Sequence, residues 1–244
     1  MEWPLIFIGA MTSFLGTLAG GGGLIGMPAM ILYGLPIHQI IAATKFSNTI
    51  SSFSSFFFLL KSDEIKLTEV LKTVPFALAG GVTGGCISGM IPEDFMNAAA
   101  LILLTFAFVL SVLKKREKDL PDRNRKLPAK SYPAIFGIGV YDGVFGPGQA
   151  TLSMYMYFQL GLSYLSSIAY TRFQTFVSCV GAFTAYLFAG MVNFQIAIPL
   201  AIGSLIGAQL AIRTARRISF SSAKWIIRGV TLLLIGQIFY QFIQ

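Results

Sequence analysis

The chain has 244 residues, of which 55% are hydrophobic and 11% are charged, and its mean hydropathy is +0.73. In soluble domains about a quarter of the residues are charged, so this composition indicates an integral membrane protein. The net charge of +8 does not indicate nucleic-acid binding, because eight of the 18 basic residues lie between residues 114 and 130 and five between residues 213 and 228. Such clusters flank membrane spans and set their orientation. We therefore expect the lipid bilayer as a partner and no nucleic acid.

The first apolar stretch, residues 3–34, is interrupted by four consecutive glycines, which are Gly20, Gly21, Gly22 and Gly23. Glycine has poor helix propensity, and irregular backbone survives in a membrane only where it lines a cavity inside the protein. As one helix the stretch would measure about 48 Å, against roughly 30 Å of hydrocarbon, and each arm is too short for a full span. The pattern predicts a re-entrant hairpin with its tip near the middle of the membrane.

Three ordinary spans follow in the first half, then a long hydrophilic stretch, and then a second half of the same build. The second broken stretch, residues 132–160, carries its interruption at Gly146, Pro147 and Gly148. The predicted ordinary spans are residues 40–60, 70–90, 95–113, 163–190, 194–212 and 223–242.

The two halves repeat with an offset of 127 residues. Gly21 then falls on Gly148, and the triplet beginning at Thr44 falls on the triplet beginning at Thr171. Both triplets consist of threonine, a basic residue and phenylalanine. We interpret this as a duplication. It divides the chain into a first transmembrane repeat (residues 1–113), a basic cytoplasmic linker (residues 114–131) and a second transmembrane repeat (residues 132–244).

Loop charges select the topology. Basic loops favour the cytoplasm, so residues 114–130 and 213–224 share a side, whereas the loop at residues 91–95 carries Glu93 and Asp94 and no base. We therefore predict an all-α membrane protein of two inverted repeats, each a broken re-entrant helix hairpin plus three transmembrane helices. The alternative is two parallel repeats of four simple crossings each. In the inverted arrangement both termini lie outside the cell.

Three charges remain inside apolar spans: Lys45, Asp142 and Arg172. A charge at the bilayer centre costs roughly 2.5–3.5 kcal/mol, so each needs a partner or a purpose. Lys45 and Arg172 are related by the repeat, and they either coordinate an anion or extend towards the lipid headgroups. Asp142 corresponds to Leu15. It is a candidate for carrying a coupling proton, or else an ion-pair partner of Lys45 or Arg172.

Each hairpin tip precedes the start of a helix, where free N–H groups and the positive dipole end attract anions. Polar side chains on the following spans share helical faces with the two cations. The predicted substrate-binding residues are Gly20, Gly21, Gly22, Gly23, Thr44, Lys45, Asn48, Gly146, Gly148, Gln149, Thr171, Arg172 and Thr175. Helix packing is the alternative role for glycine, and it accounts for Gly81, Gly85, Gly203 and Gly207.

No motif indicates an enzyme, a cofactor or a metal site. Cys86 and Cys179 lie in separate apolar spans without a CxxC pattern. The chain has no Walker A sequence, so ATP does not drive it directly, and it has neither HExxH nor GxSxG.

Residues 16–28 (GTLAGGGGLIGMP), 42–46 (AATKF) and 139–148 (GVYDGVFGPG) resemble the sulfite exporter TauE/SafE family, and the resemblance covers nearly the whole chain. It implies a bacterial-type inner-membrane permease for small sulfur-containing anions such as sulfite or an organosulfonate. Gln149 departs from the small residue that the family often has after the second break.

The expected function is secondary transport of a small anion, with export as the expected direction. We expect the anion to bind between the hairpin tips while one repeat rocks against the other. An anion channel and a non-transporting membrane scaffold or sensor are the alternatives. The identity of the anion, proton coupling and the oligomeric state are left open by the sequence.

Overall fold

A computed structural model describes residues 3–60, 67–96, 99, 102, 105 and 127–215, and all regular structure in these ranges is helical. The helices are α1 (Trp3–Ala19), α2 (Gly23–Leu32), α3 (Ile37–Leu60), α4 (Leu67–Leu71), α5 (Val74–Met90), α6 (Ser131–Val144), α7 (Gln149–Gln159), α8 (Tyr164–Phe188) and α9 (Phe194–Ala215). Residues 95, 96, 99, 102 and 105 of the predicted span 95–113 are described and helical. The rest of that span, the predicted span 223–242 and most of the predicted linker lie outside the described residues.

Both predicted interruptions are present. The first separates α1 from α2 at residues 20–22, and the second separates α6 from α7 at residues 145–148. The all-helical character of the described residues and the positions of the two broken helices are therefore confirmed.

The described helices differ in how closely they match a membrane span. In these ranges only α9 is both long enough and apolar enough to cross a membrane, and α1, α2 and α5 are apolar but shorter. Helices α3 and α8 contain 24 and 25 residues and measure about 36 Å and about 38 Å, which exceeds the roughly 30 Å of hydrocarbon. Both helices contain many polar residues, which lowers their hydropathy. These residues, such as Ser51, Ser55 and Ser178, are buried inside the protein.

The surface of α9 is apolar and its buried face is built from small residues. Ile198, Ile202 and Ile206 are each 49% exposed, whereas Gly203 and Gly207 face the interior. A row of large exposed apolar side chains over an interior of small residues is typical of a helix packed within a membrane.

The most extensive helix packing joins one half of the chain to the other. Helix α9 of the second half packs along α1 and α3, and α5 of the first half packs along α6 and α8. We call α1, α2, α3 and α9 the first bundle, and α5, α6, α7 and α8 the second bundle. Each bundle thus contains three helices of one half and one helix of the other. The two bundles are joined by the packing of α3 against α8.

Glycines make this close packing possible. A Cβ atom on Gly203 or Gly207 would collide with a backbone carbonyl oxygen of α1, and one on Gly81 would collide with the carbonyl oxygen of Ser178 in α8. A Cβ on Gly85 would lie 3.0 Å from the carbonyl oxygen of Ala182. The helix-packing role predicted for these four glycines is confirmed.

Candidate functional site

The first break turns the chain back on itself. Gly20 has a φ of +77°, a left-handed conformation that favours glycine. A Cβ on Gly22 would lie 2.8 Å from Gly16 Cα, and one on Gly26 would lie 2.5 Å from Thr12 Oγ1. Because Gly22 and Gly26 pack on progressively earlier residues of α1, α2 runs back along the end of α1.

The second break is built around proline. Gly146 and Gly148 have φ values of +101° and +86°, and Pro147 lies between them. The carbonyl oxygen of Pro147 accepts a hydrogen bond of 2.5 Å from Tyr141 Oη in α6. Gly148 then caps the start of α7. The tyrosine fixes the break to the helix that precedes it.

The two breaks contact each other through their backbones. A Cβ on Gly20 would lie 2.6 Å from Thr151 N and 2.8 Å from the carbonyl carbon of Ala150, and one on Gly23 would lie 2.8 Å from Pro147 Cα. The contacts are reciprocal, because the offset of 127 residues relates Gly20 to Pro147 and Gly23 to Ala150. Backbone cannot move aside as a side chain can, so glycine is required at both positions.

Several amide groups at the breaks are free to bind a ligand. Within the described chain, the N–H groups of Gly21, Gly22 and Gly23 at the first break have no acceptor, nor do those of Gly148 and Ala150 at the second. Such groups lie at the start of a helix, where the first turn has no helical partners and the dipole is positive. This arrangement favours an anion.

A cavity of about 60 Å³ lies between the breaks and the helices α3 and α8. One water needs about 10–15 Å³ on this scale, so there is room for a small oxyanion or about five waters. The predicted site residues that line the cavity are Gly20, Gly22, Gly23, Thr44, Asn48, Asp142, Gly146, Gly148, Gln149, Arg172 and Thr175. Gly21, Lys45 and Thr171 do not line it.

Arg172 is the cation that lines the cavity. It is 4% exposed, and its Nη2 donates a hydrogen bond of 3.2 Å to Ser51 Oγ in α3. Its Nε has no partner, and no carboxylate among the described residues lies within ion-pair distance of the guanidinium. A buried guanidinium with spare donors can bind an anion.

Lys45 lies behind the second break and is paired with Asp142. Lys45 Nζ is 2.8 Å from Asp142 Oδ1, and both side chains are buried. The other carboxylate oxygen accepts a hydrogen bond of 2.6 Å from Ser178 Oγ and a contact of 3.5 Å from Cys179 Sγ. Of the two ion-pair partners that the sequence allowed for Asp142, the structure has Lys45. A Cβ on Gly146 would lie 2.6 Å from Lys45 Nζ, so this glycine makes room for the ammonium group.

Gln149 is held in place across the second bundle. Its Nε2 donates to Ser153 Oγ at 3.1 Å, and its Oε1 accepts from Thr175 Oγ1 at 3.1 Å. The side chain that departs from the family pattern therefore joins α7 to α8 at the edge of the cavity.

The sequence-based selection missed cavity residues on α1, α2 and α9. Thr12 and Ser13 line the cavity, and their buried hydroxyl groups have no hydrogen-bond partner. Met27, Met30 and Leu200 form an apolar part of the wall. Polar residues within the apolar α1, two turns before its break, were the signal that could have identified the hydroxyl groups.

The described ranges contain no group of three or more His, Cys, Asp or Glu side chains that could hold a metal ion. Cys86 and Cys179 are both free thiols, the first exposed and the second buried.

Comparisons with known proteins agree on one family. Residues 5–238 match the family model described as sulfite exporter TauE/SafE. The chain is 32% identical over 213 residues to the probable membrane transporter protein ORF9 of a Sinorhizobium species, covering 86% of this chain and 82% of that protein. It is 25% identical to a probable membrane transporter protein of Haemophilus influenzae, covering 94% and 89%, and 22% identical to the probable membrane transporter protein YfcA of Escherichia coli, covering 94% and 85%. No solved structure matches the chain significantly.

Proposed function

Because the chain belongs to the sulfite exporter TauE/SafE family, as its motifs predicted, we propose that it exports a small sulfur-containing anion, such as sulfite or an organosulfonate, across the plasma membrane. Family membership and the relatives make it a multi-pass membrane protein and a transporter. The choice of anion and the direction are our proposal.

The observation that carries the proposal is the cavity between the two breaks. Arg172 supplies a positive charge, the free amides of the glycine turns supply N–H donors, and the unpartnered hydroxyl groups of Thr12, Ser13 and Thr44 supply further donors. Donors without acceptors are costly when buried unless a ligand or water satisfies them. An oxyanion accepts hydrogen bonds from all three kinds of donor.

The inverted-repeat arrangement is supported by reciprocal contacts. Gly20 meets Ala150 while Gly23 meets Pro147, which is the exchange of partners that a two-fold axis produces. Helix packing follows the same exchange, because α1 packs on α9 as its counterpart α6 packs on α5. A two-fold axis in the membrane plane would place the two helix starts on opposite sides of one anion.

The moving units in our proposal are the two bundles and not the two repeats. All the strong packing of α5 is with helices of the second half, and all the strong packing of α9 is with helices of the first half. Rocking one repeat against the other would break these interfaces. Moving one bundle against the other would instead open the cavity, which both bundles line, and would leave the glycine-packed interfaces intact.

The membrane potential makes export the favourable direction. A negative interior favours the exit of an anion by about 2.3 kcal/mol per charge per 100 mV. We place the central basic loop in the cytoplasm and both termini outside, as the distribution of basic residues predicts. Uptake would need a coupling cation, and Asp142 is the acidic side chain that could carry a proton. Asp142 is ion-paired with Lys45, so we assign it the role of a fixed negative charge and not that of a proton carrier.

Anion flux from proteoliposomes tests the function. We expect the purified protein to release sulfite at a rate that saturates with concentration, and Arg172→Gln to lower that rate at least tenfold. Arg213→Gln is the matched control, because Arg213 is exposed in the last turn of α9. The proposal is wrong if sulfite and small organosulfonates all fail to move, or if Arg172→Gln and Arg213→Gln transport equally. Unitary currents would identify a channel.

Cross-linking tests the moving units in a Cys86→Ser background. The rings of Phe56 in α3 and Phe173 in α8 lie 4.7 Å apart across the bundle interface. Gln39 in α3 and Asn193, the residue before α9, are joined by a hydrogen bond of 3.1 Å at one end of the first bundle. We expect a short thiol cross-linker to stop flux through Phe56→Cys/Phe173→Cys and to spare Gln39→Cys/Asn193→Cys. Inhibition of the second pair alone would contradict the bundle assignment.

A further inference from the structure

The buried charges at the cavity do not cancel. Lys45 and Asp142 neutralise each other at 2.8 Å, which leaves Arg172 without a carboxylate partner among the described residues. Of the ten acidic residues in the sequence, Asp142 is the only one inside an apolar span. The other nine lie near the start of the chain, in loops between spans or in the hydrophilic stretch at residues 114–130. In the part of the chain that the structure describes, no second carboxylate lies within ion-pair distance of the guanidinium.

The imbalance has its origin in one difference between the repeats. Lys45 corresponds to Arg172, but Asp142 corresponds to Leu15. The position that would give Arg172 its carboxylate is therefore occupied by a buried leucine. The serines related by the repeat also differ in their hydrogen bonds. Ser178 donates to Asp142, whereas its counterpart Ser51 accepts from Arg172.

We infer that the cavity carries one net positive charge, fixed by Asp142 in one repeat and Leu15 in the other, and that it therefore selects monovalent over divalent anions. The inference rests on the proposed function, since it names the charge of the anion bound at that site. A monovalent anion neutralises Arg172. A divalent anion would leave one negative charge unpaired in a desolvated site, which is strongly unfavourable. The two helix starts contribute dipoles without net charge, so they solvate an anion of either valence.

Two tetrahedral anions of similar size separate the effect of valence from the effect of shape. Methanesulfonate carries one charge and sulfate carries two, and they differ by a methyl group in place of an oxygen. Binding to the purified full chain is measured by isothermal titration calorimetry at constant ionic strength. We expect methanesulfonate to bind at least tenfold more tightly than sulfate.

Variants then change the charge of the site in known steps. Asp142→Asn raises it by one unit, and we expect the affinity ratio to move towards sulfate at least tenfold. The double variant Lys45→Met/Asp142→Asn has the same residue at position 142 and the original net charge, so we expect the original ratio. This comparison removes any contribution of the methyl group or of the changed carboxylate.

Leu15 provides a second test that leaves the Lys45–Asp142 pair intact, in case Asp142→Asn does not fold. Leu15→Asp supplies the missing carboxylate and brings the net charge to zero, so we expect both anions to bind at least tenfold more weakly. Leu15→Asn is the matched control without a charge, and it should retain the preference for methanesulfonate.

The outcomes separate this inference from the function on which it rests. Equal binding of the two anions, tighter binding of sulfate, or the same affinity ratio in Asp142→Asn and the double variant would overturn the valence rule while the anion site stands. If neither probe nor sulfite binds to the unmodified protein, the proposed function itself is wrong, and the valence rule with it.

Discussion

Substituting Gly20 tests the contact between the two breaks, on which the whole cavity depends. Gly20→Ala places a Cβ atom against the backbone of Ala150 and Thr151. Gly34→Ala is a matched control, because Gly34 has nearly the same backbone conformation, with φ values of +77° and +82°, but has no atom within 4 Å of its Cβ position. The difference between the two variants isolates the collision from the backbone strain.

The structure gives the size of each contribution. An alanine in the left-handed region costs about 1–2 kcal/mol, and both variants share this cost. At Gly20 the new Cβ would lie 2.6 Å from Thr151 N, well inside van der Waals contact. Overpacking of this kind costs typically about 1–3 kcal/mol. For a chain of this length, 1 kcal/mol corresponds to about 2–4 °C in Tm, so Gly20→Ala should melt about 2–12 °C below Gly34→Ala.

Thermal unfolding of the purified protein in detergent, with and without a bound anion, measures both effects. We expect Gly34→Ala to keep the rise in Tm that the anion produces in the unmodified protein, and Gly20→Ala to lose it, because its wall of the cavity has moved. If the two variants melt at the same temperature and respond equally to the anion, the breaks do not contact each other as described.

Other predictions concern packing, the ion pair and pH. Gly207→Ala should lower the Tm by several degrees because its Cβ meets backbone of α1, whereas Gly89→Ala, with no contact nearer than 3.9 Å, should leave the Tm unchanged or raise it. Ser178→Ala removes a hydrogen bond of 2.6 Å to Asp142 and should cost about 1.5–3 kcal/mol in thermal unfolding, and Thr184→Ala, on an exposed part of α8, should cost less. Flux of methanesulfonate should be the same at about pH 6 and at about pH 8, because the proposed cycle moves no proton with the anion; a rate that rises as the pH falls would support proton coupling.

The sequence predicts features of this protein that depend on the local backbone. The glycine run and the Gly146-Pro147-Gly148 turn cannot continue a helix, so both breaks could be located before the structure was known. Packing glycines such as Gly81 and Gly203 were predictable for a similar reason, because small residues at a four-residue spacing allow helices in a membrane to approach closely.

Features that depend on distance between helices were not predictable. The repeat offset relates Lys45 to Arg172 but does not say which of them reaches Asp142, so the sequence left that choice open. Thr12 and Ser13 were missed because a hydroxyl group in a membrane helix usually bonds to a carbonyl of its own helix. Their position in the apolar α1 marks them as unusual in the sequence, and the structure adds that they have no such partner and line the cavity.

The exchange of one helix between the halves also constrains how the bundles can move. Helix α8 of the second bundle is joined to α9 of the first by residues 189–193 alone, which can span at most about 20 Å. Asn193 at the end of this connection is bonded to Gln39 at the start of α3, which fixes it to the first bundle. The bundles therefore cannot separate at this end of α8. In the proposed transport cycle their relative motion becomes a rotation about the connection, and the interface widens most at the ends farthest from it.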